Sequence, residues 1–105
     1  MSFSDRQKAF EDKYKHDQEL QFKVMVRRNK LLGLFIAELL GLTGEKAETY
    51  ARDVISTDFE EPGDEDVVRK VMADIQNSDV DFSEHRLRKK IDELTSVAKQ
   101  QIMSE

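Results

Sequence analysis

The chain has 105 residues, enough for one domain with a modest core and not comfortably enough for two. Hydrophobic residues make up 38% and charged residues 37%, with one proline, four glycines and no tryptophan; this suits a small helical bundle and leaves little turn material for an all-β fold. A net charge of -5 argues against a protein devoted to the nucleic-acid backbone, and the absence of cysteine excludes disulfides, thiolate metal sites and thiol catalysis.

The first helical signal runs from about Ser4 to Leu40 and divides into two unlike halves. From Leu20 onward Phe22, Met25, Leu32, Ile36 and Leu39 recur in steps of three and four once Asn29 is admitted to the series. Leu31, Leu34, Phe35 and Leu40 widen that stripe into a core-grade face. Asn29 on such a face reads as a register-setting or edge residue rather than a ligand. Gly33 costs roughly 1 kcal/mol relative to alanine in a helix interior, and its use there would be a close helix crossing.

The preceding half differs in kind. Between Phe3 and Glu19 the only large apolar groups are Phe3, Phe10 and Tyr14, set among charged residues. Their spacing of seven and then four places them on one helical face, too narrow to belong to a bundle core. An isolated helix of this length is marginal in water, so residues 1–19 are expected to be disordered or a frayed helix when free. A thin aromatic stripe amid mixed charge fits a helix that docks in a partner's groove, because Phe and Tyr contribute large buried area at small rotamer cost. A solubilising tail with incidental aromatics fits the composition as well.

Gly41-Leu42-Thr43-Gly44 ends the first helix and starts the second, with Thr43 as the expected N-cap. Ala47, Tyr50, Ala51, Val54 and Ile55 mark a second helix that closes near Phe59. Glu60-Glu61-Pro62-Gly63 is a loop, and Asp64 is the expected cap of a third helix buried through Val68, Val71, Met72 and Ile75. Ser83 caps a fourth, with Leu87, Ile91, Leu94, Ala98 and Ile102 on one stripe. The expected fold is all-α, a four-helix bundle over 20–105 with helices at about 20–40, 44–58, 65–77 and 84–103, preceded by a flexible or partly helical segment.

No arrangement of residues supports catalysis, a metal or a cofactor. The two histidines, His16 and His85, lie far apart and outside any metal-ligand spacing. His16 could report pH near neutrality, but a solvated side chain is the stronger reading. The acidic stretch from Asp58 to Asp66 lacks the pattern of a calcium loop, since Pro62 holds the fifth position and Arg69 replaces the terminal glutamate. The Gly41–Lys46 stretch lacks phosphate-loop spacing, and helix caps account for it. The basic clusters Arg27, Arg28, Lys30 and Arg86, Arg88, Lys89, Lys90 read as solvated helix faces or partner contacts. No signal peptide is expected from the first residues, and no apolar run approaches the roughly 18–20 residues that span a bilayer.

Asp5-Arg6, Ala9-Phe10-Glu11, Lys13, His16-Asp17-Gln18-Glu19 and Phe22-Lys23 form one half of a longer pattern. Arg27-Arg28-Asn29-Lys30-Leu31-Leu32-Gly33-Leu34, Gly41-Leu42-Thr43-Gly44, Asp58 to Val67, Ser83-Glu84-His85 and Gln101-Ile102-Met103 complete it. In this order, over nearly the whole chain, they resemble the ATPase inhibitor zeta subunit family, regulators of the F-type ATP synthase in alpha-proteobacteria. The resemblance implies a non-enzymatic protein, cytoplasmic and peripheral to the inner membrane through the synthase, without a cofactor and without nucleic acid as a partner. It further implies an N-terminal helix that enters a catalytic interface of the synthase head, between alpha and beta subunits near the gamma stalk, and blocks ATP hydrolysis by obstructing rotation. Carried onto this chain, the inhibitory element is roughly Phe3 to Glu19. Spacing makes Phe10 and Tyr14 its apolar anchors, with Phe3 on the same face and Arg6, Lys8, Glu11 and Lys13 as polar contacts. The free protein is expected to be a monomer. The competing reading is a helical adaptor that dimerises through the Leu31 to Leu42 face, which a polar substitution at Ile36 would abolish.

Overall fold

The computed structural model describes the backbone of residues 3–57 and 64–105, and the side chains of residues 17–57 and 64–105. Among the described residues the chain forms four helices: α1 (Phe3–Leu39), α2 (Glu45–Ile55), α3 (Glu65–Gln76) and α4 (Glu84–Ser104). The expected all-α bundle is present. The helix expected at 20–40 is the second part of one helix of 37 residues, about 55 Å long. By contrast α2 and α3 have 11 and 12 residues, so each covers only about a third of that length.

The ends of the elements follow local chemistry, with two corrections. Gly41, at φ 80°, stops α1: Leu42 N–H donates to the Ala37 carbonyl at 2.8 Å and Gly41 N–H to that of Glu38 at 3.1 Å. This is the glycine-terminated Schellman pairing. The N-cap of α2 is Gly44 and not Thr43, and no side chain caps it. Gly44 stands at φ 57°, a conformation that glycine adopts without strain and threonine does not. Asp64 does hold the N-cap position of α3, but its side chain makes no cap hydrogen bond there. Its carboxylate instead accepts from Arg28 Nη1 at 2.6 Å, a charged donor that outcompetes a backbone N–H. Ser83 caps α4 as expected, its Oγ accepting from Arg86 N–H at 3.2 Å. The α2 helix ends at Ile55 with Ser56 as its C-cap, short of the close expected near Phe59, and residues 58–63 lie outside the described residues.

The apolar stripes meet in one core. Leu32 and Ile36 of α1, Val54 of α2, Val71 of α3 and Leu87 and Ile91 of α4 are its largest sealed side chains. The α4 helix runs antiparallel to α1: Phe82 packs edge-on against Phe35, with ring centroids 6.0 Å apart, while Gln101 accepts from Arg27 at 2.9 Å. Gly33 lies where α1 crosses α2. A Cβ built there would stand 2.6 Å from Ala51 Cα, so only glycine admits the crossing at this separation. Of the face proposed for an adaptor's dimer contact, Leu32, Ile36 and Ala37 are sealed in the chain's own core, while Leu31 and Leu34 are half-buried.

Phe22 departs from its expected place in the core stripe and is 61% exposed. It lies seven and fourteen residues before Asn29 and Ile36, both fully buried, so it shares their side of the helix. The short α2 and α3 cover that side only as far as the Arg28–Asp64 contact, and Phe22 lies nearly two turns beyond it.

Tyr50 joins α2 to α3 by donating its hydroxyl to Asp74 Oδ2 at 2.8 Å, and Lys70 donates to the same oxygen at 3.1 Å. Burial first, and then the hydrogen bond and charge of Asp74, push the Tyr50 hydroxyl above the ordinary phenol range. A raised folded-state value means that this contribution to stability is complete below the unfolded tyrosine's pKa of about 10 and declines as pH rises past it. Denaturant melts of the parent and of Tyr50→Phe should therefore show a stability advantage for the parent near neutrality that shrinks above about pH 10. A difference that stayed constant to pH 11 would contradict this.

Candidate partner-binding surface

The stem of α1 is held by contacts from the basic cluster expected to be a solvated helix face or a partner contact. Arg28 is only 4% exposed. Besides its ion pair with Asp64, it donates through Nε and Nη2 to Asn29 Oδ1 at 3.1 and 2.9 Å. This arrangement places a buried guanidinium between a carboxylate and an amide oxygen, which offsets its desolvation. Asn29 is fully buried, so it holds a place inside the core and not at its edge. Arg27 reaches across to α4 and pairs with Glu105 as well as Gln101. Lys30 remains exposed.

The second basic cluster is largely paired. Arg88 donates two hydrogen bonds to Glu65, at 3.1 and 3.0 Å, and one to Glu84 at 3.3 Å, tying the start of α4 to that of α3. The hydrogen bond from Arg88, reinforced by its charge, holds the Glu65 carboxyl below its usual range. Lys90 lies 4.5 Å from the centroid of the Phe35 ring, and Arg86 5.5 Å from that of Phe82. His85 is exposed.

Arg28 is the first fully buried side chain along the described part of α1; from Asp17 to Arg27 every residue is exposed or half-buried. The helix from Phe3 to Arg27 covers 25 residues, about 37 Å. Phe3, Arg6, Lys8, Phe10, Glu11, Lys13, Tyr14 and His16 fall on this stretch, where the backbone is helical and their side chains lie outside the described residues.

Where α1 leaves the bundle it forms a groove with the end of α4. Leu20, Val24 and Met25 make one wall and Ile102 and Met103 the other, around a volume of about 460 Å³. Asp17 and Lys99 stand at its edges. Met103 is 83% exposed, which for a methionine beside an apolar groove is an uncovered surface. Sequence periodicity could not flag this place, because its two walls are some 80 positions apart in the chain. Among the described residues no group of three or more His, Cys, Asp or Glu side chains could hold a metal ion, and no helix is long and apolar enough to cross a membrane.

Residues 1–101 match the family ATPase inhibitor subunit zeta. Among solved structures, a chain determined by solution NMR is 47% identical; the match covers 81% of this chain and 96% of that one, with a TM-score of 0.73. No curated protein matches the chain.

Proposed function

Because the chain belongs to the ATPase inhibitor subunit zeta family, we propose that it is an inhibitory regulatory subunit of an F-type ATP synthase and acts as a mechanical wedge. The first part of α1, roughly Phe3 to Glu19, enters a catalytic interface between alpha and beta subunits near the gamma stalk and obstructs rotation in the hydrolytic direction. The observation that supports this most is the shape of α1: a stem clamped in the bundle by Arg28, Leu32 and Ile36, continuous with a helical backbone that runs about 37 Å from Phe3 to Arg27. A wedge needs stiffness and a fixed base, and a single helix with a packed stem supplies both. The protein does no chemistry in this role and needs no cofactor. It joins the membrane-bound synthase from the aqueous side, through protein contacts alone.

Titration of isolated synthase with the full chain and with a chain starting at Leu20 tests the reading, with ATP hydrolysis followed. The full chain should inhibit. The shortened chain, with the Leu32 and Ile36 core intact, should keep its helical circular dichroism and lose inhibition by at least about a hundredfold, the value of two lost interface anchors. Inhibition by neither chain would overturn the proposal. Equal inhibition by both would move the determinant into the bundle.

A further inference from the structure

We propose that the partner-docking surface continues past the wedge into the groove between α1 and α4, so that Met103 and Ile102 contact an apolar segment of the same ATPase head. The proposal rests on the inhibitory reading above. Its first support is register. Positions 3, 10, 17 and 24 follow at intervals of seven on one uninterrupted helix, as do 14 and 21. An interval of seven drifts by only about 20°, so these positions share one side of α1. Positions 3, 10 and 14 therefore fall on the same side of α1 as Val24 in the groove wall, and position 20 lies only about 9 Å along the axis from position 14. A partner surface that holds Tyr14 meets the groove next.

The second support is chemistry. The groove is lined almost wholly by apolar surface, from Leu20, Val24, Met25, Ile102 and Met103, and has room for more than one side chain of leucine size. An apolar-faced helix or loop would fill it, with Asp17 and Lys99 at the rim free to meet charges of either sign. Size selects the occupant. A stable dimer needs roughly 1,000 Å² or more of buried surface, far beyond what these five side chains offer alone, which argues against a second copy of the chain. A small contact beside a larger one is different, since the wedge would hold it at millimolar effective concentration.

The test uses the full chain with Met103→Asp and Met103→Lys, titrated against ATP hydrolysis by isolated synthase. Met103 is exposed, so neither change should alter the thermal melt. The two added charges are opposite, so a loss common to both reports the apolar contact and not the local field. Each should raise the half-inhibiting concentration about tenfold, the equivalent of one buried methionine, while Met103→Leu should match the parent. If the parent inhibits and both charged variants inhibit equally well, the groove proposal falls and the inhibitory reading stands. If the parent itself does not inhibit, both fall. If the parent sediments as a concentration-dependent dimer that the charged variants abolish, the groove is filled by a second copy and the proposal is overturned.

Discussion

Replacing Gly33 by valine should destabilise the bundle by about 2–4 kcal/mol, lowering its melting temperature by roughly 10–25 °C. The first methyl group alone would stand 2.6 Å from Ala51 Cα and 3.1 Å from Ala51 Cβ, closer than packed carbons approach. The obstructing atom is backbone, so no rotamer change relieves the clash and the two helices must separate. Elsewhere in a helix, glycine to alanine gains about 1 kcal/mol. At this position that gain is set against overpacking that typically costs 1–3 kcal/mol, so Gly33→Ala should come out mildly destabilising. Valine adds two further methyl groups to a sealed site, and the balance tips decisively. The geometry also predicts a failed rescue: Ala51→Gly removes the Cβ contact but leaves Cα, so Gly33→Ala/Ala51→Gly should recover only part of the loss. Thermal denaturation of these chains decides it, and a Gly33→Val chain that melts with the parent would show that the crossing is not tight.

Such a variant acts on the packed stem of α1, where what the sequence can reveal is plain. Features fixed within a few residues were legible. Ser83 caps α4 as read, and of the stripe Leu87, Ile91, Leu94, Ala98 and Ile102 the first, second and fourth are buried while Leu94 and Ile102 are half-buried. Gly33 was legible as a possible crossing because glycine in a helix interior has few other uses. Features fixed by a partner distant in the chain were not. Arg28 sits in a basic run that looks solvated, and only the return of the chain at Asp64, 36 residues later, makes it a buried tie. The same contact takes the Asp64 carboxylate from the helix end it was expected to cap. Phe22 keeps the core period but lies above the reach of α2 and α3, a fact of helix length and not of pattern. For the proposed binding surface, the spacing of Phe3, Phe10 and Tyr14 marks a stretch that ends at Glu19, where the composition changes. The helix itself does not stop there, and Ile102 and Met103 come beside it, in the groove of the proposed surface, only when α4 folds back along α1.

Phe10→Ala and Tyr14→Ala should each weaken inhibition by about thirtyfold or more, while leaving the melting temperature of the bundle within a degree or two of the parent's. Fixing some fifteen residues from a fully unfolded state would cost on the order of 15–30 kcal/mol of backbone entropy. Much of that burden is lighter here, because a helix that extends from a stem packed through Leu32 and Ile36 needs propagation only and avoids the unfavourable nucleation step. The remaining cost has to be met by burial in the partner, and the side chains on this stretch able to bury large apolar area are Phe3, Phe10 and Tyr14. Polar contacts contribute less: single rim charges are worth about 0–1 kcal/mol, so Lys8→Ala or Glu11→Ala should shift the half-inhibiting concentration by roughly fivefold at most. The double variant Phe10→Ala/Tyr14→Ala should approach the floor set by the chain that begins at Leu20. Paired titrations of ATP hydrolysis and thermal melts measure both halves of the expectation. Parent-like inhibition by either single variant would remove it from the anchors. A loss at Lys8 or Glu11 as large as the loss at Phe10 would mean that the wedge is held by charge, and inhibition should then weaken steeply as salt is raised.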